Sequence, residues 1–169
     1  KGGIGYLLEQ TYGYSLPPKM REHLSYLCKD ISDKEHRELK VSEVLDIFKK
    51  NYFLHDSHIT ISDIHFFRTE NAIKTQIVFN EDGKDTLIQA TGNGSLDAVS
   101  NALKKYTGSE YELLEYTEHS MQEQGSGSVA AAYIGIQDKN GVMHWGAGTD
   151  TDIIHASANA LLSAYNTMK

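Results

Sequence analysis

The spacing of apolar residues changes character partway along the chain. Up to about residue 53 they recur every three or four positions: Met20, Leu24, Leu27, Cys28 and Ile31 in one run, then Val41, Val44, Leu45, Phe48 and Tyr52. That period places each set on one face of an amphipathic helix. Pro17 and Pro18 stand ahead of the first run, where proline is tolerated, and Ser42 is a candidate N-cap for the second. A short helical turn is expected over Ile4 to Gln10, interrupted by glycines. These helices have no sufficient core of their own and are expected to lean on another surface.

From about residue 57 the period becomes two. "HITISDIHFF" sets Ile59 and Ile61 in one phase and Ile64 and Phe66 in the other. The break at Ser62–Asp63 predicts a β-bulge that turns both halves toward one core. "AIKTQIVF" puts Ile73, Thr75, Ile77 and Phe79 on one face, "NEDGK" turns with Gly83 at positive φ, and "DTLIQATG" returns. A glycine-x-glycine turn then leads into a helix striped by Leu96, Val99, Leu103 and Tyr106.

The same order follows again. "YELLEYTEH" is a strand with Tyr111, Leu113 and Glu115 opposed by Leu114, Tyr116 and Glu118. "QEQGSGS" is a loop expected to be exposed, "VAAAYIGIQD" a strand, and Asn140-Gly141 a hairpin signal. "MHWGAG" returns, and a helix with Ile154, Ala158, Leu161, Leu162 and Tyr165 closes the chain. Sliding Leu96 onto Ile154 also lays Ala98, Asn101, Ala102 and Leu103 on Ala156, Asn159, Ala160 and Leu161. The pattern predicts an α+β fold. An internally duplicated strand-strand-strand-helix (βββα)2 domain spans 57–169, with repeats at about 57–107 and 110–169, and a helical subdomain over 1–53 precedes it.

Composition narrows the partners. The net charge is −7, and no basic stretch is dense enough to neutralise phosphates, which excludes nucleic acid and anionic membrane. Cys28 is the single cysteine, so the chain carries no intramolecular disulfide and suits a reducing, cytoplasmic compartment. No apolar run approaches the roughly 20 residues of a membrane helix. The opening "KGGIGY" lacks an initiator methionine and reads as part of something longer.

The chemistry-bearing residues point to binding rather than catalysis. Each repeat ends in glycine-x-glycine before a helix N-terminus, where unpaired N–H groups and the helix dipole favour a carboxylate or phosphate. The third glycine and downstream acid of a dinucleotide fingerprint are missing. The run Ala130, Ala131, Ala132 and Gly135 leaves room for a ligand or for close helix packing. "HDSH" at His55–His58 and "DTD" at Asp150–Asp152 are the best metal-like strings, and neither has a third ligand nearby in sequence. His119 and Ser120 point to opposite faces of a strand, Cys28 lies on an apolar stripe, and Tyr116 and Tyr133 suit core or interface. A ligand-free dimerisation module and a small metal enzyme built on His55, His58 and the Asp150–Asp152 loop stand as competing readings.

"KGGIGYLLEQTYGYSLPPKMREHLSYL", "GNGSLDAVSNAL", "EYTEHSM", "AAAYIGI" and "WGAGTDTDIIHASANALLSAYN" occur in this order. The series resembles the helical linker and C-terminal leucine-binding regulatory domain of the 2-isopropylmalate synthase family. The resemblance implies an allosteric domain that binds L-leucine near a homodimer interface and feeds back on the condensation of acetyl-CoA with 2-oxoisovalerate. In that family the divalent metal and catalytic residues belong to an N-terminal barrel, so this chain alone is expected to be inert and to hold no cofactor. The resemblance assigns leucine contacts to Asn93, Gly94, Leu96, Leu113, Tyr116, Ser120, Ala131 and Ile153, with Ser120 standing where the family has alanine. A citramalate synthase domain, which shares this architecture, would instead select isoleucine.

Overall fold

The computed structural model describes residues 2–121 and 128–169, so the glycine-serine loop over 122–127 lies outside the described residues. Three helices come first: α1 (Gly2–Tyr12), α2 (Pro18–Glu35) and α3 (Val41–Tyr52). Then follow β1 (Thr60–Arg68), β2 (Ile73–Glu81), β3 (Lys84–Gly92) and α4 (Ser95–Thr107). The second round is β4 (Tyr111–Met121), β5 (Val129–Asp138), β6 (Met143–Asp150) and α5 (Ile153–Met168). The architecture is the expected α+β duplication.

Each round builds one antiparallel sheet in simple meander order, β1-β2-β3 and β4-β5-β6. Helix α4 packs on β2 and β3, α5 packs on β5 and β6, and the two helices touch. One core therefore joins both rounds, with Ile77, Phe79, Val99 and Leu103 against Ile134, Ile136, Leu161 and Tyr165. The β1 register shifts between Ile61 and Asp63, and Ile61, Ile64 and Phe66 all reach this core. That bulge is the one the change of phase predicts.

A second bulge, between Leu113 and Glu115 of β4, has no signal in the alternation pattern. It overturns the expected opposition of Leu113 and Tyr116. Leu113 pairs with Ile136 and Tyr116 with Ile134, so both sit on the α5 side of the sheet. The first sheet does the same, with Ile61 opposite Phe79 and Ile64 opposite Ile77. The extra residue re-aims the strand at equivalent places in both repeats.

Local starts and turns also differ from expectation. Ser42 is not a cap: α3 begins at Val41, and the Glu43 carboxylate accepts the N–H of the N-cap residue Lys40 at 2.8 Å. In the β5–β6 hairpin only Gly141 has positive φ, and its N–H donates to the Asp138 carbonyl at 3.0 Å. The second glycine-x-glycine is not a turn but the middle of β6. A Cβ on Gly146 would lie 2.3 Å from the Ala160 carbonyl oxygen, and one on Gly148 2.5 Å from that of Ala156. Both glycines exist to let α5 lie directly on the strand.

The second sheet is buried on both sides. Away from α5 it presents Ala131, Tyr133, Trp145 and Ala147, which pack with Leu8, Leu16, Met20, Leu24, Phe48 and Tyr52 of the helical region. The helices do lean on another surface, and this is it. Cys28 is buried in the same layer and its thiol is pushed up to about 11 by burial. The connection after α3 is pinned to α5, where Ser163 Oγ accepts from the Leu54 N–H at 3.0 Å. Among the described residues no helix is long and apolar enough to cross a membrane.

Two outcomes follow from this packing. Gly146→Ala should destabilise the fold by about 2–3 kcal/mol through overpacking against α5, whereas Gly3→Ala, with open space around it, should gain up to about 1 kcal/mol; thermal denaturation of both variants checks this. His23 contacts the Tyr52 hydroxyl at 2.5 Å through Nδ1, and burial first, then His144, holds its pKa below the ordinary histidine value. Its neutral form is thus the folded form. That stability is present above about pH 6.5 and is lost as pH falls toward the depressed folded value, because the unfolded state binds more protons. Chemical denaturation at pH 7.5 and 5.5 should show a smaller difference in His23→Gln than in the parent chain.

Candidate functional site

The duplication brings the N-termini of α4 and α5 to one place, roofed by the inner face of β4. Between them lies a cavity of about 70 Å³ lined by Ser95, Leu96 and Val99 of α4, Ile153, Ile154, Ser157 and Ala158 of α5, and Tyr116 of β4. A cavity of about 150 Å³ takes benzene, so this one suits a small aliphatic group rather than an aromatic ring. Its walls are equivalent positions of the two repeats, since the alignment that lays Leu96 on Ile154 also lays Val99 on Ser157.

Hydrogen bonds set the wall. Tyr116 Oη lies 2.9 Å from Ser157 Oγ and donates to Glu118 at 2.8 Å. Ser157 Oγ also lies 2.9 Å from the Ile153 carbonyl oxygen, so its single proton goes either to that carbonyl or to Tyr116 Oη. The tyrosine ring is held between α5 and the strand while remaining 38% exposed, and burial first among its causes raises its pKa. Leu114, bulged out beside it, is 48% exposed.

The helix starts are less open to an anion than the glycine pattern implies. Asp152 caps α5, accepting the Ile154 N–H at 2.9 Å and pairing with His155 at 2.7 Å. Those two partners, the Ile154 N–H foremost, hold its carboxyl below the usual range. At α4 the cap is Gly94 with no side-chain bond, and the Asp97 carboxylate turns back to accept the Asn93 N–H at 2.9 Å. The α4 start is the less occupied of the two.

Of the residues assigned from resemblance, Leu96, Tyr116 and Ile153 line the cavity. Gly94 and Asn93 lie at the α4 start beside it. Leu113 shares the face of Tyr116 but is packed into the core opposite Ile136. Ser120 lies farther along β4, exposed, opposite Ala130. Ala131 faces the helical layer, with Tyr133 and Trp145, away from this cavity. Strand alternation gives Ala132 to the α5 side and Ala131 to the other, so the alanine run is shared between two cores. Ser95, Val99, Ile154, Ser157 and Ala158 line the cavity as well, where the repeat alignment and helical spacing place them beside Leu96 and Ile153.

The metal-like strings disperse. His58 pairs with Glu81 at 3.3 Å, Asp152 with His155, and among the described residues no three His, Cys, Asp or Glu side chains converge.

Residues 38–169 match the family described as the LeuA allosteric (dimerisation) domain. Over 168 residues the chain is 43% identical to a 2-isopropylmalate synthase of Desulfitobacterium hafniense, covering 99% of this chain and 30% of that protein. A 2-isopropylmalate synthase of Helicobacter hepaticus is 38% identical over 174 residues, with 98% and 31% covered. One of Clostridium acetobutylicum is 35% identical over 179 residues, with 100% and 31% covered. The chain thus spans about three tenths of the length of these curated relatives.

Removing the α5 cap should be felt at the site. Asp152→Ala is expected to cost about 1 kcal/mol and to lower the melting temperature by about 2–4 °C, read by thermal denaturation.

Proposed function

This chain belongs to the LeuA allosteric (dimerisation) domain family, and on that premise we propose that it senses L-leucine in the cavity between α4 and α5. The observation that carries this reading is the convergence of Leu96, Tyr116 and Ile153 on one small apolar space where the two repeats meet. An isobutyl group fits that lining, and burying it contributes about 2 kcal/mol. The ligand's carboxylate is best received at the start of α4, where Gly94 caps without a side chain and the helix dipole is positive.

The domain acts as a homodimer, as the family description supports. A second copy laid against Tyr116 and Leu114, both part-exposed beside the cavity, would close it from water. In the longer relatives, named 2-isopropylmalate synthases, such a domain would report the end product to a catalytic barrel that joins acetyl-CoA to 2-oxoisovalerate with a divalent metal. Inhibition of that kind requires only that leucine bind two states unequally, by about 1–3 kcal/mol. The chain alone is inert, holds no cofactor and works in the cytoplasm. Its helical region over 1–53 is the linker and 57–169 the sensing domain.

Calorimetric titration with leucine, isoleucine and valine tests the reading, with light scattering for the dimer. Leucine should bind most tightly, and Ile153→Ala should weaken it by about tenfold, the loss of roughly 1.4 kcal/mol of apolar contact. Isoleucine preference would transfer the site to the citramalate branch. Absence of binding to a dimeric chain would leave dimerisation alone.

A further inference from the structure

The outer face of the second sheet holds a polar cluster that the ligand reading does not use. The Ser15 N–H, in the turn between α1 and α2, donates to Tyr133 Oη at 3.1 Å and approaches His119 Nε2 at 3.3 Å. His119 Nε2 lies 2.8 Å from Tyr133 Oη, and its Nδ1 lies 3.2 Å from the Ser120 carbonyl oxygen. A carbonyl can only accept, so Nδ1 carries the proton and Nε2 takes the tyrosine's. The rings stack with centroids 5.4 Å apart and planes at 18°. Every polar atom of the pair is thereby assigned, and Tyr133 is fully buried.

β4 carries both this cluster and the cavity wall. Tyr116 faces the cavity, and three residues on, His119 faces the helices. In the adjoining pairs Tyr116 lies opposite Ile134 and Thr117 opposite Tyr133. β4 is an edge strand, hydrogen-bonded within its sheet to β5 alone, and edge elements open at lower cost than central ones. A displacement of Tyr116 therefore has a short route to His119. We propose that His119, Tyr133 and the Ser15 N–H form a latch by which occupancy of the cavity is read at the α1–α2 turn. This rests on the cavity being the ligand site. Leucine, by holding Tyr116 against Ser157, stabilises the closed latch that the structure shows against its opening, and these three are positioning groups rather than ligand contacts.

The test uses the 169-residue chain, following hydrogen exchange at the Ser15 amide and leucine affinity in the parent, Tyr133→Phe, Tyr116→Phe and the double variant. Saturating leucine should slow Ser15 exchange by about fivefold or more in the parent and leave it unmoved in Tyr133→Phe. By reciprocity Tyr133→Phe should weaken leucine by the same factor. Without ligand, Tyr116→Phe should speed Ser15 exchange, and the double variant should fall short of the sum of the single effects. His119→Gln, at a half-exposed site, supplies the same readout if Tyr133→Phe fails to fold. Leucine that binds without moving Ser15 overturns the latch. If leucine does not bind, the ligand reading fails separately, and additive variants overturn the latch on their own.

Discussion

The burial of β5 on both faces is the constraint from which the rest of the arrangement follows. From Ala131 to Ile136 every residue is buried, with Ala132, Ile134 and Ile136 toward α5 and Ala131 and Tyr133 toward α1–α3. A strand covered twice cannot alternate polar and apolar, which is why this segment reads as a continuous run of small and aliphatic residues. Two helical layers must also approach within backbone distance. Gly146 and Gly148 provide that on the α5 side, and Ala131 and Ala147 on the other.

This double burial separates the two repeats that the chain otherwise copies. The first sheet shares the meander, the bulge and the following helix, yet its outer face turns Gln89, Thr91 and Leu87 to water. There the alternation stays clean. The second sheet has traded its polar face for the helical layer, and its small residues follow from that trade. The extra residues before α5, including the capping Asp152, come with the same divergence.

Duplication also explains where the cavity lies. Two helices related by a repeat start side by side, and side chains at matching positions meet across the join. Leu96 and Ile154 are both apolar, while the position of Val99 in the first repeat is Ser157 in the second, whose hydroxyl lies 2.9 Å from that of Tyr116. One conserved geometry with one polar replacement converts a packing junction into a wall with a hydrogen-bonded aromatic ring. The same strand then reaches the linker side through His119, so site and helical layer share a single edge strand.

By itself the sequence determined the order of elements, the duplication, the β1 bulge and the amphipathic faces. Those are local: periodicity and turn chemistry act over neighbouring residues. Leu96 and Ile153 came from the family resemblance, and both stand at helix starts that line the cavity. Only the tertiary structure decided the rest. The β4 bulge carries no change of phase, because Leu114 is as apolar as the residues it displaces, and pairing with β5 alone brings Tyr116 beside Leu113. Which alanine of the run faces which core depends on what lies above and below the strand. The glycines of β6 look like a turn until α5 is laid on them. Contacts between distant segments, such as Ser15 with Tyr133, leave no local pattern because their geometry exists only once two layers have packed on one sheet.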